Sequence, residues 1–139
     1  MRILHVTDTH LGARWALSGA PPDLRAADHE RALELALAPA CREEVDLVIH
    51  SGDLFDRSHP DRTAIAAATR LLSEVARRVP VVVLAGNHDR RGLVAALAGA
   101  PRLQVFDAPT RIVVAGVSLA LVPHQRTAAA VAHASGGLA

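Results

Sequence analysis

Three short polar clusters carry the chemistry in this chain: Asp8-Thr9-His10, Gly52-Asp53-Leu54-Phe55-Asp56 and Gly86-Asn87-His88-Asp89. Between them they offer carboxylates, imidazoles and a carboxamide. Hard oxygen donors mixed with imidazole nitrogen suit Mn²⁺, Fe²⁺ or Zn²⁺, and such ions act in pairs in phosphoester hydrolysis. Each cluster taken singly has a plainer reading. Asp-x-His occurs in solvated loops and helix caps, Gly-Asp occurs in turns, and Gly-Asn-His-Asp suits a tight turn with left-handed residues. Their order along the chain, each directly behind an apolar run, is what sets them apart.

Those runs are Ile3 to Thr7, Leu47 to His50 and Val81 to Ala85, rich in β-branched residues and short enough to be buried strands. In an α/β sheet, ligands bind in the crevice beyond the carboxyl ends of the strands. All three clusters would converge there. The connecting segments read as helices. Leu24 to Glu44 is rich in Ala, Leu and Glu and puts Leu33, Leu37 and Cys41 on one face. Pro39 is expected to kink or split it, because proline lacks a backbone donor and clashes with the preceding turn. Asp61 to Val79 reads as a second helix, capped by Asp61 itself or by Ser58 with Pro60 in the first turn. Gly92 to Ala100 reads as a short helix. Leu103 to Phe106, Arg111 to Ala115 and Ser118 to Val122 read as strands, the last two joined by a hairpin turn around Gly116. Strands alternating with helices imply an α/β fold with a mainly parallel sheet and right-handed crossovers. Residues from Ala128 to Ala139 are rich in Ala and Gly and show no partner in this pattern.

Composition fits an ordinary enzyme domain. A chain of 139 residues is one domain by length, and half of it is apolar with few aromatics, so the core is aliphatic. The net charge of +1 argues neither for nor against a nucleic acid partner. All fifteen basic residues are Arg, which we read as genome composition and not chemistry. The single Cys41 excludes an internal disulfide and suits a reducing compartment. The first strand begins at Arg2, so no signal peptide is expected, and no apolar run reaches membrane-spanning length. The expected location is cytoplasmic.

The runs and clusters together, Ile3-Leu4-His5-Val6-Thr7-Asp8-Thr9-His10-Leu11-Gly12, then Ser51 to Asp56, then Gly86 to Asp89, resemble the calcineurin-like metallophosphoesterase superfamily over about the first 90 residues. Leu11-Gly12 and Asp53-Leu54-Phe55-Asp56 resemble its SbcD-type DNA repair nuclease branch. The resemblance implies a metallophosphoesterase-type β/α sandwich and two divalent cations, Mn²⁺ first, with Fe²⁺ or Zn²⁺ as alternatives. Asp8 and His10 resemble ligands of the first cation, Asp53 the carboxylate bridging both, and Asn87 a ligand of the second. His88 resembles the histidine that faces the substrate and protonates the leaving oxygen. Asp56 resembles the acid that hydrogen-bonds this histidine and sets its tautomer. Arg57 could grip a phosphate oxygen. The implied substrate is a phosphodiester, DNA above all. An ATPase partner subunit and a homodimer are compatible with the resemblance.

The family completes its site with a later His and a Gly-His-x-His motif, and neither occurs in these 139 residues. The expectation is therefore the N-terminal portion of such a domain, a sandwich incomplete at its C-terminus, belonging to a longer nuclease. His124, after a strand end, and His133 are the late candidates; Pro123-His124 resembles the family's strand-end Pro-aromatic segment instead of a ligand. The alternatives are a small-substrate phosphoesterase, or a catalytically dead fragment that only binds metal or a partner. Arg14, Arg57, Arg62, Arg90 and Arg91 lie in or near the three loops and could rim the crevice. His5 and His50 are expected in the core, His29 and His59 at the surface, and Cys41 in the apolar face of its helix.

Overall fold

In a computed structural model, residues 1–14, 22–42, 45–89, 92, 97 and 99–137 are described. Four strands, β1 (Ile3–Val6), β2 (Leu47–His50), β3 (Val81–Leu84) and β4 (Leu103–Phe106), form one sheet in the order β1-β2-β3-β4. Every pairing is parallel, with Ile3 opposite Leu47, Val48 opposite Val81, and Val81 opposite Leu103. Parallel neighbours require crossovers, and helices α1 (Pro22–Arg42) and α2 (Arg62–Ala76) supply the first two. The expected α/β architecture holds. All three polar clusters therefore lie at the carboxyl end of the sheet.

Alternation along the strands sorts residues onto two faces. Val6, Val48, Val81 and Val83 pack against Leu33 and Leu37 of α1 and Ala68, Leu71, Leu72 and Val75 of α2. Leu47, Val82 and Leu84 point the other way, onto Leu121 and, around it, Ile112, Val114 and Leu119. Those last residues belong to an antiparallel hairpin, β5 (Thr110–Val114) and β6 (Val117–Leu121). Its turn has positive φ at Ala115 (51°) and Gly116 (78°), which matches the right-handed twist of the strands. The result is three layers, with the helices on one face of the sheet and the hairpin on the other. The hairpin packs on β2, β3 and β4 but leaves β1 bare, so Ile3 is 42% exposed.

Several local expectations change. Helix α1 runs through Pro39 without splitting. The carbonyl that proline leaves without a donor belongs to Leu35, which is exposed, so water can take the bond. Asp61 is the cap of α2, accepting from the Ala64 amide at 2.8 Å. Most of the helix expected over 92–100, and Arg90 and Arg91, lie outside the described residues. The tail forms a third helix, α3 (Ala128–Gly136), capped by Thr127 and with no buried residue. Among the described residues, no helix is long and apolar enough to cross a membrane. His5 is exposed, not core, because it sits on the face of β1 that the hairpin does not reach. His29 is half-buried, its Nδ1 3.1 Å from the Thr9 carbonyl oxygen.

Candidate metal centre

The loops after β1 and β2 continue the pairing of their strands. Amides of Ser51, Asp8, His10, Leu11 and Asp56 donate in turn to carbonyls of Val6, Gly52, Asp53, Leu54 and Leu11, at 2.8 to 3.1 Å. This zipper fixes three non-glycine residues in the left-handed region: Asp8 (φ 54°), His10 (46°) and Asp53 (52°). Each such conformation costs roughly 1–2 kcal/mol. Strain of this kind persists only where surrounding structure over-determines it, and it marks functional sites. Here it falls on three of the four expected ligands.

The third loop is pressed against the second. A Cβ on Gly86 would collide with the backbone nitrogen and carboxylate of Asp53, and one on Gly52 would meet Gly86. Only residues without a side chain fit that crossing. Asp89, the last residue of the third motif, ties the two loops together. Its buried carboxylate accepts from the amides of Leu54 (3.1 Å), Phe55 (2.9 Å) and Gly86 (2.9 Å). Its position within the Gly86 to Asp89 motif is visible in the sequence. Its partners, up to 35 residues away, are not.

Asp8, His10 and Asp53 each present a ligand atom, and these atoms lie within 4.8 Å of one another. Two carboxylate oxygens and one imidazole nitrogen at that spacing fit a divalent cation of the Mn²⁺, Fe²⁺ or Zn²⁺ kind. Thr7 donates to the second oxygen of Asp8 at 2.6 Å. Oδ1 of Asp53 accepts from the His88 amide at 3.0 Å. Asn87 lines a cavity of about 260 Å³ with Thr7, Asp8, Asp53 and His124. The structure thus brings Asp8, His10, Asp53 and Asn87 to one place and sets His124 at its edge.

His88 stands beside them, its ring edge-to-face with that of His10 at 5.1 Å. Its Nδ1 donates to the backbone carbonyl of Asp56 at 2.7 Å, which fixes the proton on Nδ1 and leaves Nε2 as the other nitrogen. That bond, assisted by the charges of Asp53, Asp56 and Asp89 and opposed by desolvation, raises the pKa of His88 above the ordinary histidine value. The expected contact from Asp56 to His88 is therefore made by the main chain. The Asp56 carboxylate lies 3.9 Å from Nδ1 of His10 and 3.5 Å from the guanidinium of Arg57. Arg57 is exposed. Arg14 is held by Asp61 at 2.8 Å.

Beneath the site, His50 is fully buried and its Nε2 pairs with the Thr9 hydroxyl at 3.0 Å. Burial pushes its pKa down to about 4, so it is neutral at pH 7 and serves as packing and a hydrogen-bond partner. His5 pairs through Nε2 with the Ser51 hydroxyl at 2.7 Å.

The sequence model of the family described as calcineurin-like phosphoesterase matches residues 1–124. The DNA double-strand break repair protein Mre11 of Sulfurisphaera tokodaii is 36% identical over 107 residues, covering 76% of this chain and 27% of that protein. The D component of the nuclease SbcCD of Escherichia coli K12 is 32% identical over 126 residues, covering 90% of this chain and 30% of that protein. The chain thus spans about a third or less of the length of these two relatives. Among solved structures, the nuclease MPE of Pseudomonas putida superposes with a TM-score of 0.53 at 22% identity, over 80% of this chain and 50% of that one, a likeness of fold. Matched by the family model over most of its length, the chain belongs to the calcineurin-like phosphoesterase family.

Proposed function

We propose that the chain carries the metal-dependent phosphodiesterase site of a DNA-processing nuclease of the SbcD type. The observation that supports this best is the convergence of Asp8, His10 and Asp53 at ligand spacing in three strained backbone positions. Asp8, His10 and Asp53 would hold one cation, and Asp53 with Asn87 a second, with Mn²⁺ as the preferred ion. Two cations supply Lewis acidity and an activated water at neutral pH. His88 keeps one proton on Nδ1, bound to the Asp56 carbonyl, and as the imidazolium that its raised pKa favours it carries a second on Nε2, which it gives to the leaving oxygen. The Asp56 carbonyl orients that ring, and Arg57 holds a phosphate oxygen. The names of the relatives, a DNA repair protein and a nuclease, support DNA as the substrate. An ATPase partner and a cytoplasmic setting belong to the proposal through the resemblance of the motifs to the SbcD branch.

The test is calorimetry with Mn²⁺ together with hydrolysis of bis-p-nitrophenyl phosphate and linear DNA. Asp53→Ala should lose metal and turnover together. His88→Ala should keep metal and lose turnover. Equal loss of Mn²⁺ binding in both variants would overturn the assigned roles.

A further inference from the structure

A second, larger cavity opens beside the metal centre. It measures about 590 Å³ and is lined by Ser58, Asn87, Asp107, Pro123, His124 and Arg126, among others. It shares Gly86, Asn87 and His124 with the cavity that holds Asp8 and Asp53. The two spaces are therefore neighbours that share one wall. Its volume lies within the range of small-ligand sites, roughly 300 to 1,000 Å³.

The wall that carries His124 is anchored. The His124 amide donates to the Ala85 carbonyl at 3.0 Å, which pins the segment after β6 to the start of the third loop. Among the described residues, neither the His124 imidazole nor the Arg126 guanidinium has a hydrogen-bond or ion-pair partner. The two carboxylates facing this space are engaged by main-chain donors. Asp89 takes three amides, and Asp107 accepts from the Gly92 amide at 3.1 Å. A cation and an imidazole remain to line the cavity, together with the carboxylate of Asp107. That combination suits a molecule with an anionic group at one end and hydrogen-bond donors at the other.

We propose that this cavity seats the nucleotide next to the scissile phosphate, with Arg126 and His124 on its distal phosphate and Asp107 accepting from its nucleoside. Arg126 is then a specificity residue that separates polynucleotide substrates from phosphodiesters that carry no neighbouring phosphate. The proposal rests on the phosphodiesterase reading above and names what lies beyond the reacting centre.

The experiment measures binding of a fluorescein-labelled single-stranded oligonucleotide by anisotropy in EDTA, where no hydrolysis interferes. Arg126→Gln should weaken binding about ten-fold at low salt, the effect of losing one charged hydrogen bond. The slope of log affinity against log salt should fall by about 0.7, the value for one phosphate contact on a single strand. His124→Ala should weaken binding less, and its effect should shrink in the Arg126→Gln background. Arg77→Gln, an exposed arginine after α2 at the opposite edge of the sheet, should change nothing. A nucleoside monophosphate should displace the oligonucleotide at lower concentration than inorganic phosphate. Unchanged binding in Arg126→Gln, an equal loss in Arg77→Gln, or equal competition by inorganic phosphate would each overturn the proposal. Failure of the chain to bind Mn²⁺ would sink the phosphodiesterase reading instead, and calorimetry on the same preparations separates the two.

Discussion

Replacing Asp89 with asparagine tests how the site is held together. Oδ2 of Asp89 accepts from Leu54 and Gly86, and Oδ1 from Phe55. The carboxamide of the Asp89→Asn variant keeps one oxygen, best placed where Oδ2 was, and turns an NH₂ toward the Phe55 amide. One charge-assisted bond is lost outright, the other two lose their charge, and two donors face each other where Phe55 is fully buried. Hydrogen bonds to charged groups contribute about 1.5–3 kcal/mol. We therefore expect a loss of about 2–3 kcal/mol, a large share of a total of roughly 5–15 kcal/mol. The melting temperature should drop by roughly 10 °C. Because Asp89 ties the loop of Asp53 to the loop of Asn87, Mn²⁺ affinity should fall as well, although Asp89 is not in the Asp8, His10, Asp53 group. Urea unfolding and calorimetry read the two effects separately. A variant within about 0.5 kcal/mol of the parent, the range of ordinary surface substitutions, would refute the account of Asp89 as the tie between loops.

Three more outcomes follow from the same geometry. Gly86→Ala places a methyl against the Asp53 nitrogen and carboxylate, so Mn²⁺ affinity measured by calorimetry should fall at least about ten-fold, and an unchanged affinity would show that the loops can part without cost. His50 is held at a pKa of about 4 against an ordinary 6.5, so the unfolded chain binds its proton first and stability is lost as pH falls from 6.5 to 4. The loss should reach about 3 kcal/mol in urea titrations at successive pH values, and His50→Gln should remove that part of the slope. Finally, these 139 residues alone should turn over bis-p-nitrophenyl phosphate slowly in Mn²⁺, because Asp53 and Asn87 are the only ligands assigned to the second cation; robust turnover abolished by His88→Ala would show that they suffice.

The strands and the loops they end in are legible in the sequence because both signals are local. Val81 to Leu84 is buried throughout, as an uninterrupted apolar run requires in a parallel sheet. Leu33 and Leu37 recur at helical spacing and are buried as that spacing demands. Pro39 misleads because the rule against proline in helices describes an interior carbonyl with no other donor. Leu35, whose carbonyl loses that donor, is an exposed residue, where water can serve instead. His5 misleads for a non-local reason. Its alternation along β1 is that of a sheet residue, but whether the face is covered depends on where a hairpin more than a hundred residues later comes to rest. The helix at Ala128–Gly136 leaves no trace in the pattern because it has no amphipathic stripe, and none of its residues is buried.

The site shows the same division between residue type and residue role. Asp53 and Asp89 are both buried acids in the loops of adjacent strands, and nothing in their immediate sequence separates their roles. Their hydrogen bonds do. A carboxylate has about four acceptor positions. Asp89 fills three of them with backbone amides, so its charge is compensated by the protein and little capacity is left for a cation. Asp53 takes one amide, from His88, and keeps the rest directed toward Asp8 and His10. The first arrangement makes a structural tie, whereas the second leaves charge that a cation would balance. The left-handed backbone at Asp8, His10 and Asp53 points the same way, because a zipper of backbone hydrogen bonds holds these three residues where their lone pairs meet.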